Sequence, residues 1–64
     1  MSAIVIREVK AKNNQFAYEV DFYRNGTHGN ADPTETRRTD NYPIKQNAFV
    51  EACQIKTEFQ KANS

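Results

Sequence analysis

The chain has 64 residues, with nine Lys and Arg against eight Asp and Glu and a net charge of +1. A chain this short makes a single small domain, residues 1–64, and folding hides only about 60% of the surface its unfolded form exposes, so the core is thin. A hydrophobic share of 38% with four Phe and three Tyr still suffices for one core and excludes wholesale disorder.

The charge balance lacks the strong basicity of many nucleic-acid binders, although binding depends on how charge is distributed over a face. The single cysteine, Cys53, excludes an intramolecular disulfide, and with one histidine, His28, it cannot build a four-ligand zinc site, so no metal or other cofactor is expected. The opening MSAIVIREVK is apolar only briefly before Arg7, too short for a signal-peptide core or a bilayer span. A cytoplasmic setting without a membrane partner is the expectation.

Ala3 to Lys10 is rich in β-branched residues and predicts a first strand. The polar Lys12-Asn13-Asn14-Gln15 then closes a hairpin, since Asn tolerates left-handed backbone geometry. From Phe16 to Arg24 the alternation is the clearest in the chain, with Phe16, Tyr18, Val20 and Phe22 on one face and Ala17, Glu19, Asp21 and Tyr23 on the other.

Asn25 to Pro33 holds both glycines and a proline, which predicts a long turn or loop with His28 exposed. Asn25-Gly26-Thr27 matches a glycosylation pattern, but Asn-Gly is equally a turn signal, and the turn is the reading adopted. Thr34 to Tyr42 predicts a third strand with almost no apolar face, as suits a solvated edge. After Pro43 the apolar residues Ala48, Phe49, Ala52, Ile55, Phe59 and Ala62 recur in steps of three and four, predicting a helix from about Ile44 to Lys61. Asn47 is an alternative cap for a shorter helix starting at Ala48.

The simplest assembly is an α+β fold of β-β-β-α order, a three-stranded antiparallel sheet packed against one C-terminal helix. The Phe16, Tyr18, Val20 and Phe22 face meets Ala48, Phe49, Ala52, Ile55 and Phe59, and the other face is open to water. Tyr23, Glu19 and Asp21 populate that open face, joined by Arg7 or Lys10 according to the register of the first strand.

No phosphate-cradling glycine loop and no positioned nucleophile accompany the lone His28, so the sequence predicts no enzyme. Glu19 and Asp21, about 7 Å apart on one strand face, are the nearest thing to an acid–base pair, yet they read better as a solvated surface. The basic residues are more suggestive. Arg24 closes the second strand, Arg37 and Arg38 lie in the third, and Lys45 opens the helix. Arginine forks suit phosphate oxygens and guanine edges, so Tyr23, Arg24, Arg37, Arg38 and Lys45 are the candidate nucleic-acid contacts. Strand geometry sends Arg37 and Arg38 to opposite faces, and Glu19, Asp21, Glu35 and Asp40 interleave with the cations.

The run FAYEVDFYRNGT, a variable loop, TRRTDNYPIKQNAFVEA and the closing helix resemble the small N-terminal arm-type DNA-binding domain of phage and transposon tyrosine integrases. In that family a tyrosine-rich strand is followed by a basic strand, an aromatic and a helix introduced by a Thr/Ser-Lys-x-Glu-Ala pattern. Tyr42, Lys45 and Ala48 match the aromatic, the lysine and the alanine, whereas Ile44 stands where Thr or Ser is expected and Asn47 replaces the Glu. The resemblance covers about Phe16 to Ala62 and implies double-stranded DNA held against the sheet. A second reading, from the near-neutral charge and an exposed sheet face or edge, is a phage or mobile-element accessory protein that binds a host protein or forms a homodimer.

Overall fold

In the computed structural model, which describes residues 2–26 and 32–63, the elements are β1 (Ala3–Lys10), β2 (Phe16–Tyr23), β3 (Glu35–Arg38) and α1 (Lys45–Ala62). The strands form one antiparallel sheet in the order β1-β2-β3, and the helix lies chiefly on β2. This is the expected β-β-β-α arrangement. His28 and its neighbours at 27–31 fall outside the described residues.

The β1–β2 hairpin closes as its asparagines require. Asn13 and Asn14 have φ of 60° and 58°, and the Gln15 N–H donates to the Lys12 carbonyl at 3.2 Å, as in a primed turn that matches the twist of the strands. The register pairs Arg7 with Glu19 and Val5 with Asp21, so Arg7 lies on the open face while Glu8 and Lys10 lie on the helix side. Past β2, Gly26 takes φ 84° and donates its N–H to the Tyr23 carbonyl, a geometry in which a side chain would clash.

The inner face of β2 carries the core. Tyr18, Val20 and Phe22 are buried together with Ala48, Ala52, Ile55 and Phe59, and Ile4, Ile6, Phe16 and Tyr42 pack around them. Phe22 stacks on Phe59 with ring centroids 5.4 Å apart, while Tyr18 meets Phe49 edge-on at 5.6 Å. These two contacts set the direction of the helix. From Phe49 to Phe59 it rises about 15 Å beside the stretch from Tyr18 to Phe22, about 13 Å of strand, and so runs along β2. Phe49 itself is not in the buried core; it stays 42% exposed, because it sits on the flank of the helix, about a quarter-turn from the Ala48–Ala52–Ile55–Phe59 stripe.

The third strand is shorter than the expected Thr34 to Tyr42. Regular pairing ends at Glu19↔Arg38 and resumes only in the isolated bridge Phe16↔Tyr42. Between those pairs β2 spends Ala17 and Tyr18, whereas the facing segment spends Thr39, Asp40 and Asn41. The extra residue is a bulge, and it reverses the parity of everything after it. Tyr42, on the open face by simple alternation from Arg38, is thereby turned to the helix side.

Two threonine hydroxyls carry the ladder where β3 stops. Thr39 donates its backbone N–H to the Tyr18 carbonyl at 2.9 Å and accepts the Tyr18 N–H on Oγ1 at 3.0 Å. At the other end Thr34 does likewise, giving its N–H to Phe22 and accepting the Arg24 N–H on Oγ1.

The helix starts at Lys45 with Ile44 as its cap residue, extended and without a side-chain cap; Asn47 is inside the first turn and donates its N–H to the Ile44 carbonyl. Glu51 reaches back from the helix to accept the Tyr42 hydroxyl at 2.8 Å and the Asp40 N–H at 3.1 Å, which fastens the bulge to α1.

Thr39 is 4% exposed, so its hydroxyl is the buried acceptor on which the Tyr18 amide depends. Thr39→Val keeps the shape and removes that acceptor, and it should lower stability by about 1–3 kcal/mol in a urea titration followed by circular dichroism. An unchanged midpoint would show that another group takes the Tyr18 amide. By the same titration Phe59→Ala should cost about 3–5 kcal/mol, and Phe49→Ala only about 1 kcal/mol, the worth of its edge contact with Tyr18.

Candidate functional site

The helix leaves one face of the sheet uncovered, and the pairing registers bring Arg7, Glu19, Asp21, Thr36 and Arg38 together there. Arg7 is the centre of this group. Its Nε donates to Asp21 Oδ2 at 2.7 Å, and its Nη2 donates to Glu19 Oε1 at 2.6 Å and Asp21 Oδ1 at 3.3 Å. Thr36 Oγ1 adds a third bond to the Asp21 carboxylate, to Oδ1 at 2.8 Å.

Asp21 is 2% exposed although no helix covers it, because it lies on the central strand beneath the longer side chain of Arg7. The Arg7 guanidinium holds the Asp21 carboxyl below the usual carboxylate range, against the upward push of burial and with help from Thr36. Reciprocally, the hydrogen bonds to Asp21 and Glu19 hold the Arg7 proton more tightly than usual. Glu19 and Asp21 are thus two carboxylates clamped by one arginine.

The five residues expected to contact nucleic acid are dispersed. Tyr23 and Arg38 are on the open face, but four strand positions separate Tyr23 from Glu19, the partner of Arg38, about 13 Å. Arg38 donates to Asn41 Oδ1 at 3.2 Å. Arg24 is exposed in the turn after β2, beside Tyr23. Arg37 is on the helix side, where its Nη1 meets Glu58 Oε1 at 2.5 Å across to α1. Lys45 is also on that side, 3.2 Å from Glu8, and this contact raises its pKa. The separation of Arg37 from Arg38 is therefore as expected, and the counter-charges of Arg37 and Lys45 are what the sequence did not announce.

The residue that organises the open face is Arg7, and its role depends on the register rather than on any motif. The pairing that sets Arg7 against Glu19 lets one guanidinium reach two carboxylates on alternate positions of β2.

The two edges of the sheet differ in kind. The β3 edge is short, bulged and lined by Glu35, Arg37 and Arg38. The β1 edge is eight residues long and unbroken, and no strand lies beside its outer side among the described residues. Its first half, Ala3, Ile4, Val5 and Ile6, is apolar on both faces and half-buried throughout.

No protein-family model, curated protein or solved structure matches the chain. Among the described residues, no helix is long and apolar enough to cross a membrane, and no group of three His, Cys, Asp or Glu could hold a metal ion.

The clamp makes a pH prediction. Because the folded Asp21 has a depressed pKa, its contribution to stability is complete above the ordinary carboxylate value, about 4, and is lost as pH falls through the depressed value. Asp21→Asn removes this dependence. In urea titrations the variant should be the less stable at neutral pH, and the gap should close as the pH drops below about 4. A gap of constant size would place the acid sensitivity elsewhere.

Proposed function

We propose that the chain is a non-enzymatic binding module that takes a strand from another polypeptide chain at its β1 edge. The observation that carries this reading is the contrast between the edges. Folded chains blunt their exposed edges with short strands, bulges and charge, and β3 has all three. The first half of β1 has none, and a long regular edge with apolar alternate side chains is the geometry of strand addition.

The placement of the cations supports a protein partner over a nucleic acid. Arg7, Arg37 and Lys45 each face a carboxylate at 3.2 Å or less, and Arg7, at the centre of the open face, is held by both Glu19 and Asp21. A phosphate backbone needs several unneutralised cations along one track. Here Arg24 and Arg38 stand at opposite ends of the β3 side. The DNA-binding reading that follows from the integrase resemblance is therefore ranked second.

An affinity pull-down from a host lysate, with and without nuclease, separates the two. The expected catch is protein that survives nuclease and disappears with Val5→Lys, a charge on the outer strand where an incoming strand would lie. A catch that nuclease abolishes, together with a salt-sensitive shift of duplex DNA at micromolar protein, would overturn the reading in favour of DNA.

A further inference from the structure

We infer that the strand received at the β1 edge comes from a second copy of this chain, in an antiparallel register centred on Val5, so that two sheets become one of six strands. The inference rests on the strand-addition reading and names its partner.

The argument begins with parity. Strands directly opposed in an antiparallel pair show their facing side chains on the same side of the sheet. If both helices lie on one face, as a two-fold axis perpendicular to the sheet requires, each residue of β1 must oppose one of its own parity. This leaves few registers. Centred on Ile4, the pairing spans only Ala3 to Val5 of a strand that begins at Ala3, and Ile6 stays uncovered. Centred on Ile6, it sets Glu8 against Ile4 and Arg7 against Val5. Centred on Arg7, it opposes two guanidinium groups already engaged with Glu19 and Asp21.

Centred on Val5, every central pair is compatible. Val5 meets Val5 on the open face, and Ile4 meets Ile6 twice on the helix side. Arg7 faces only Ala3 of the second copy, which leaves its clamp undisturbed. The same register explains the partial burial of Ile4 and Ile6. In one chain they pack against the rim of the core with one flank uncovered. Across the two-fold axis the four isoleucines meet in one cluster between the β1 flanks of the two helices, and the cores become continuous. The gain is largest for a chain this small, whose own core is limited by its surface-to-volume ratio.

The test is solution mass and a cross-link. By sedimentation equilibrium at submillimolar concentration the chain should weigh twice its 7.4 kDa, and Val5→Lys, which sets two ammonium groups against each other, should return it to 7.4 kDa with an unchanged far-ultraviolet spectrum. In a Cys53→Ser background, Val5→Cys should oxidise to a disulfide-linked dimer and Arg7→Cys should not; this pair carries the test if Val5→Lys fails to fold. A dimer that survives Val5→Lys, or that cross-links through position 7 and not 5, overturns the proposed interface. A monomer whose nuclease-resistant protein catch is still abolished by Val5→Lys overturns the second copy while strand addition stands. A monomer with no edge-dependent catch overturns both.

Discussion

One helix covers one strand of a three-stranded sheet, and most of what distinguishes this chain follows from how the two outer strands respond to that shortage. An α-helix with its side chains is about 10 Å wide, whereas the outer strands lie almost that far apart. Lying along β2, α1 buries Tyr18, Val20 and Phe22 and leaves the flanks to make their own arrangements. On the β3 side those arrangements are polar. The bulge at Thr39 to Asn41 rotates Tyr42 toward the helix, Glu51 takes its hydroxyl, and Arg37 reaches Glu58, so β3 is tied to α1 by hydrogen bonds where apolar contact runs out. On the β1 side Ile4 and Ile6 lean on the core and are only partly buried, and Lys45 pairs with Glu8 between helix and strand.

The charges follow the same division of labour. A net charge of +1 conceals specific pairing. The clamp of Arg7 on Asp21 and Glu19 is the member with structural consequence, because Asp21 is buried and an unpaired buried carboxylate is far more costly than an exposed one. Buried pairs of this sort often add little net stability over apolar residues of the same shape. What this one adds is register. A slip of β1 by one residue carries Arg7 to the helix side and puts Glu8 on the face of Asp21, so that pairing loses the counter-charge of a buried group. The Arg37 pair with Glu58 on the helix side is largely exposed, 44% and 60% for the two side chains, and contributes little beyond local order.

This distinction between local pattern and pairwise contact explains what the sequence made legible. The alternation of Phe16 to Phe22 and the helical spacing from Ala48 to Phe59 are set by burial on one side, which leaves a period in the sequence, and both elements were readable. So was the turn, since two consecutive asparagines are among the few non-glycine residues that accept φ near 60°. The bulge was not readable. It depends on the Thr39 hydroxyl standing in for a backbone carbonyl, and a threonine in a strand-like segment carries no mark of that service. For the candidate site, period two alone separated Arg37 from Arg38. The neutralisation of Arg37 and Lys45 is hidden, because Glu58 and Glu8 reach these partners only through the docking of the helix, and Phe49 reads as core because a helical stripe does not reveal its rotation about the axis.

The unequal edges then acquire a physical reading. A bulge, a short strand and two adjacent arginines cost β3 much of its ladder, and the threonines recover only part of it. A chain with so thin a core gains nothing in stability from this treatment; its effect is to make β3 a poor template for another strand. The same treatment is absent from Ala3–Ile6, although Val5 lies on the open face, outside the hydrophobic core, where a charge could stand. Instead the strand is apolar on both faces along the half that lies beyond the Arg7 clamp, where a charge would do the most to prevent pairing and where the isoleucines are incompletely covered. The two edges of the sheet are thus treated differently: β3 is protected against pairing, and the first half of β1 is not.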